Sequence, residues 1–88
     1  MNQSILFNDD AQWLEAQQLV MFTAQQMGMK IECYVALTKL AQWIAQSGID
    51  NTQEPLAMFE QCRFDVEELA ERLINQEAFN QKGQIIIQ

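Results

Sequence analysis

Histidine is absent from this chain, and cysteine is scarce: Cys33 and Cys62 lie far apart and form no CxxC unit. A tetrahedral zinc site draws its ligands mainly from thiolates and imidazoles, and a disulfide scaffold needs more than one distant pair, so neither is expected. Basic residues are also few. Lys30, Lys39, Arg63, Arg72 and Lys82 are scattered against twelve acidic residues, for a formal charge of −7. Nucleic-acid affinity rests on clustered cations that displace counterions from phosphates, and anionic membranes attract the same clusters. The sequence therefore predicts no nucleic-acid partner and no membrane partner. No run approaches the ~20 apolar residues that a spanning helix needs. The opening "MNQSILFNDD" has neither the basic start nor the apolar core of a secretory signal. Together with the free thiols, this predicts a cytoplasmic location. The three glycines are isolated turn residues, which removes any glycine-rich phosphate cradle.

What is present suffices for one domain spanning residues 1–88. A chain of this size buries only about 60–65% of its unfolded surface, so dimerisation is the remaining way to add buried apolar area. Glutamine is abundant but dispersed, and reads as surface filler rather than as a prion-like tract.

Along the chain, "SILF" is a short β-prone run and "NDD" suits a turn, since Asn and Asp side chains bond nearby backbone amides. A stronger strand is expected at Leu19–Thr23. After the break at Gly28, "KIECYVAL" alternates, with Ile31, Cys33 and Val35 on one face and Lys30, Glu32 and Tyr34 on the other. Leu19–Thr23 and Met29–Ala36 thus form an antiparallel hairpin. The period then changes to near 3.6: Leu37, Leu40, Ala41 and Ile44 define a first helix, which Gly48 ends. Asn51 or Thr52 can cap a second helical region, with Pro55 in its first turn. Its stripe runs Leu56, Phe59, Cys62, Val66, Leu69, Ala70, Leu73. That spacing permits one long helix. A break near Arg63–Phe64 is favoured, because Phe64 leaves the stripe and Asp65 can cap a third helix. The helix should end near Gln76, "NQKG" is a turn, and "QIIIQ" is a terminal strand that must pair with the sheet. The order predicts an α+β fold in two layers, a small antiparallel sheet with two or three helices on one face.

"MNQSILF", "FTAQQMGMKIECYV", "FEQCRFDVEELAERLI" and "EAFNQKGQI" resemble a family of short gammaproteobacterial proteins catalogued as domain of unknown function fourteen eighty-eight. The resemblance covers nearly the whole chain. It implies the same small α+β fold and carries over no activity, cofactor or site residue.

The densest charge lies in "CRFDVEELAERLINQEAF". Val66, Leu69, Ala70, Leu73 and Ile74 form one helix face, and Glu67, Glu68, Glu71 and Arg72 the other. Glu68 and Arg72 are a favourable i,i+4 pair, worth about 0.2–0.5 kcal/mol, whereas Glu67 and Glu71 repel at the same spacing. Acid–base or metal chemistry needs carboxylates in unlike environments or converging in a pocket, which adjacent turns of an exposed face do not supply. This flank reads as a solvated face. Arg63, beside Cys62 and Phe64 with Glu60 and Glu67 within a turn, reads as a structural anchor at a helix junction, or else as an interface residue. Cys33 and Cys62 read as buried, inert thiols, since no histidine can activate them. "DNTQEP" lacks the glycine and later glutamate of a calcium loop.

The surplus is apolar. Leu19–Phe22 and Ile85–Ile87 carry bulky groups on both faces, while helices cover only one. Trp43 sits at the edge of its stripe and Trp13 has no obvious core slot. One account folds the N-terminal "ILF" segment over the second face; the other leaves an interaction surface. The candidate interface or anchor residues are Arg63, Trp43, Met21 and Ile86. No catalytic residue, cofactor or metal is expected. The resulting expectation is a non-catalytic module for an unidentified protein partner, homodimeric through a sheet face or strand edge. The alternative is an acidic inhibitor or nucleic-acid mimic that captures a basic protein.

Overall fold

A computed structural model describes residues 5–48 and 54–88. The strands are β1 (Ile5–Phe7), β2 (Gln12–Leu14), β3 (Leu19–Gln26), β4 (Met29–Ala36) and β5 (Ile85–Ile87); the helices are α1 (Leu37–Ser47), α2 (Pro55–Gln61) and α3 (Arg63–Asn75). All five strands form one sheet in the order β1-β3-β4-β5, with β2 pairing the same edge of β3 as β1. Three helices cover one face of this mostly antiparallel sheet, which is the α+β architecture the pattern predicts.

The hairpin is the frame. Leu19 pairs Ala36 and Gln26 pairs Met29, and the two-residue loop Met27–Gly28 closes it. Both loop residues have positive φ (55° and 79°), the requirement of the tight turn that matches strand twist. Strand β3 extends beyond the expected Thr23, because β1 pairs its far end: Ile5 with Gln26 and Phe7 with Ala24. Strand β2, unforeseen in the sequence, pairs the near end, with Trp13 opposite Val20. Among the described residues, the single parallel pairing is β4 with β5, Tyr34 opposite Ile86. Between those strands the chain crosses the entire helical layer.

Alternation sorts the core. Val20, Phe22, Ala24, Ile31, Cys33, Val35, Ile85 and Ile87 are buried on the inner face, against Leu40, Ile44, Met58, Phe59, Val66, Ala70 and Ile74 of the helices. Phe22 lies 5.2 Å from Phe59 and 6.2 Å from Phe7, ring centre to ring centre, at the tilted geometry aromatic pairs prefer.

Several expectations require correction. Trp13 has a core slot after all: β2 pairing turns it to the inner face, where it packs against the buried cluster. Leu56 is 40% exposed and Met58 takes the buried position. Helix α2 is only seven residues long, and its phase is set by its junction with α3 rather than by one continuous stripe. The break falls at Cys62, as the expected kink near Arg63 requires, and leaves Phe64 exposed. Asp65 is not the cap: Cys62 is, and Asp65 sits in the first turn of α3. Glu54 precedes α2 as its N-cap, while Asn51, Thr52 and most of "DNTQEP" lie outside the described residues. The "ILF" segment pairs along the sheet edge instead of covering the outer face.

Gly48 closes α1 at φ 77°, its N–H directed to Ala45 and Ile44 carbonyls. At the end of α3, Glu77 takes the left-handed conformation (φ 56°); its N–H bonds to the Ile74 carbonyl and that of Ala78 to Leu73. This is the bonding of a Schellman stop with glutamate where glycine is usual.

Candidate functional site

Three places on this frame gather chemistry. The first is the junction of α2 and α3. Arg63 Nε donates to Glu67 Oε2 at 2.8 Å, and Nη1 donates to Asp9 Oδ1 at 3.0 Å and Glu60 Oε2 at 3.1 Å. Nη2 reaches the Asn8 carbonyl at 3.4 Å. Every ion pair among the described residues centres on this guanidinium. The hydrogen bond that Arg63 donates to Glu67, then that to Asp9, holds the Arg63 pKa above its ordinary value. Glu67 is thereby drawn to Arg63, and Glu68 and Arg72 form no ion pair, contrary to the expected i,i+4 bridge. The planar fork of an arginine suits this multiple grip.

Arg63 ties the helices to the loop between β1 and β2, which is itself fixed on Thr23. Thr23 lies on the outer face of β3, yet is buried. Its hydroxyl donates to Asp10 Oδ2 at 2.5 Å and accepts from Asn8 Nδ2 at 2.7 Å; its N–H donates to Asp10 Oδ1 at 3.1 Å. "NDD" is thus more than a turn. Nothing local in the sequence joins Asp9 to Arg63; only the fold does.

The second place is the outer sheet face. Met21, Tyr34 and Ile86 are cross-strand neighbours in one row over β3, β4 and β5, each partly exposed. Leu14, Leu19 and Ala36 form the adjoining row. Glu32 Oε1 accepts from Tyr34 Oη at 3.0 Å and Gln84 Nε2 at 2.9 Å. The Gln84 and Tyr34 hydrogen bonds lower the Glu32 pKa; desolvation first, then that carboxylate, raises the Tyr34 pKa. Two of the sequence candidates, Met21 and Ile86, therefore meet here. Arg63 and Trp43 do not join them. Trp43 is on α1, partly buried against the core, with Lys39 Nζ 5.1 Å from its ring centre. The cleft beside it is lined by Asp65, Glu68 and Arg72.

The third place is a notch of about 520 Å³ where the hairpin overhangs the end of α3. Buried Ile31 and Ile74 lie in its floor; Met27, Met29 and Phe79, all exposed, form its lips. Lys30 and Gly83 connect it to a smaller polar recess that also takes in Glu32 and Lys82. This notch was not expected from the sequence. Its signal was two methionines around the turn glycine, where asparagine is the usual partner.

The thiols are set in the core. Cys62 Sγ faces the Leu40 carbonyl at 3.8 Å and Cys33 Sγ the Ile31 carbonyl at 3.9 Å. Burial, with a smaller push from Asp10, raises the Cys33 pKa to about 12; burial and then Asp65 raise that of Cys62. Neither environment favours the thiolate that nucleophilic chemistry requires. Among the described residues, no group of three or more Cys, Asp or Glu is arranged to hold a metal ion.

The frame is a small two-layer α+β protein whose ionic chemistry is concentrated in an internal clasp. Its sequence matches the family model described as a protein of unknown function, DUF1488, over residues 5–87, and the chain belongs to that family. It is 36% identical over 83 residues to the uncharacterized protein YrdB of Escherichia coli (strain K12), and 35% identical to YrdB of Shigella flexneri; each alignment covers 94% of both chains. The fold matches the crystal structure of a protein of unknown function from the DUF1488 family of Shewanella loihica, with a TM-score of 0.84 and 46% identity. That match covers 99% of this chain and 94% of the other.

Proposed function

We propose that this protein is a non-catalytic cytoplasmic interaction module that docks a protein partner, in the first instance a second copy of itself, through the outer face of its sheet. The row Met21–Tyr34–Ile86 carries this reading: it runs across β3, β4 and β5, is largely apolar and is left uncovered by the helices. Tyrosine and methionine are enriched at the centres of interfaces. Tyr34 is already oriented by Glu32 and Gln84, so little side-chain freedom is lost on docking. Among the described residues, no helix is long and apolar enough to cross a membrane. The buried thiols and the Arg63 clasp offer no evident reacting group among the described residues. The acidic-mimic alternative is less favoured, since Glu67 of the acidic helix flank is held by Arg63 rather than offered to a basic partner.

Sedimentation velocity tests the proposal. The wild-type protein should associate at high micromolar concentration, and Met21→Glu should dissociate it without lowering the melting temperature of the monomer. A strictly monomeric wild type at that concentration overturns the homodimer, and so does an assembly that Met21→Glu leaves intact.

A further inference from the structure

We propose that the notch between the hairpin tip and the end of α3 binds a small amphipathic carboxylate. Its alkyl or aryl tail seats against Met27, Met29, Ile31, Ile74 and Phe79, and its anionic head is held by Lys30 and Lys82. Three observations converge there. Half of the large hydrophobic residues that stand exposed among the described residues — Leu6, Met27, Met29, Leu56, Phe64 and Phe79 — line this one notch. Its volume, about 520 Å³, lies within the about 300–1,000 Å³ of small-molecule pockets.

The backbone around it is also costly. Met27 and Glu77, neither a glycine, line the notch with positive φ (55° and 56°). Asparagine would suit the Met27 position, yet an apolar group stands there, 77% exposed. Conformations that disfavour the residue they hold concentrate at functional sites. Methionine is also the side chain best able to adapt its shape to an apolar guest.

Charge selects the head group. In a chain of formal charge −7, two of the five cations line the notch and the recess that opens from it. Neither Lys30 nor Lys82 forms an ion pair with a described residue, since every such pair centres on Arg63. Two carboxylates share these walls, Glu32 and Glu77. Glu32 directs an oxygen to Tyr34 and Gln84. The chain as a whole repels a carboxylate, whereas these walls balance two cations against two carboxylates and offer the head group two ammonium donors. An apolar tail with a cationic head would meet Glu77, and Glu32 only where its bonds to Tyr34 and Gln84 leave it open.

Sodium decanoate, kept below its micelle concentration, is the probe, read by amide and methionine-methyl NMR shifts. The expected result is saturable binding, with a Kd near or below about 1 mM for a ligand of this size. Its shifts should be confined to residues 26–31 and 74–84. Lys30→Gln/Lys82→Gln should weaken decanoate about threefold to tenfold, from two exposed ion pairs, and leave decanol unchanged. Decyltrimethylammonium should bind more weakly than decanoate. Met27→Asn, which suits the turn and therefore folds, should weaken both decanoate and decanol. Non-saturating shifts overturn the proposal, as do shifts centred on Met21 and Tyr34, equal binding of the ammonium compound, or full affinity in the double lysine variant. None of these results bears on the oligomeric state, so this site and the outer-face reading stand or fall separately.

Discussion

Replacing Arg63 with methionine removes the clasp while keeping the side chain's apolar length. The Glu67 contact is the strongest of the three, at 2.8 Å with a side chain only 29% exposed, and is worth about 1 kcal/mol. Glu60 and Asp9 are 58% and 87% exposed, so each adds about 0.3 kcal/mol. The guanidinium also lies 6.0 Å from the Phe59 ring centre, at the outer limit of a useful cation–π contact. Two dipole effects nearly cancel: a cation at the start of α3 is unfavourable, but the same cation follows the end of α2, where it is favourable. The net loss is about 1.5 kcal/mol. For a domain of 88 residues, about 5 °C of melting temperature corresponds to 1 kcal/mol, so Arg63→Met should melt about 7 °C below wild type. Circular dichroism melts at low salt measure this. At about 1 M salt the screening length falls to about 3 Å, and the gap should shrink by about half. Arg63→Lys should recover only part of it, since one ammonium cannot span three carboxylates. A gap below about 2 °C, or one that salt leaves unchanged, refutes the ionic account of the junction.

Glu77→Gly places the usual residue at the left-handed stop of α3 and removes a negative charge from its C-terminal end; it should stabilise by about 1 kcal/mol, read as a rise of about 5 °C in the same melts. Its failure to stabilise would show that the notch or the helix end is held differently. Cys33, whose folded pKa is pushed to about 12, binds its proton longer when folded than unfolded. Its contribution is therefore complete below the unfolded thiol pKa and is lost as pH rises from about 8.5 towards 12, at up to about 1.4 kcal/mol per pH unit. Cys33→Ala should fall less steeply in denaturant midpoint between pH 8 and pH 10 than wild type, and parallel pH profiles would contradict the buried thiol.

The parts legible in the sequence were those with a local signature. Alternation from Lys30 to Val35, the glycines at 28 and 48, and the shift of period at Leu37 name the hairpin and α1 without reference to anything distant. Phe64 falling off the stripe marked the helix junction in the same way. Strand β2 had no such signature: "QWL" is three residues long, and only its pairing with β3 makes it a strand and gives Trp13 its inner-face place. Met58 displaced Leu56 because the burial phase of a seven-residue helix is fixed by what it is joined to. At the candidate sites, the alternation that put Tyr34 opposite to Cys33 also put it on the open face. Its row with Met21 and Ile86 needed the strand order. The notch needed still more: the overhang of the hairpin past α3 is a property of two element lengths, not of any stretch of residues.

The parallel seam between β4 and β5 has a consequence for biosynthesis. The edge of β4 at Cys33–Val35 is made early, but its mate at Ile85–Ile87 leaves the ribosome only after residues 37–84 have been added. Throughout that interval a growing chain holds an unzipped, greasy border able to accept any passing extended segment. Because Ile85–Ile87 follow the helices in the chain, this border closes only after the residues of the helical layer have been made.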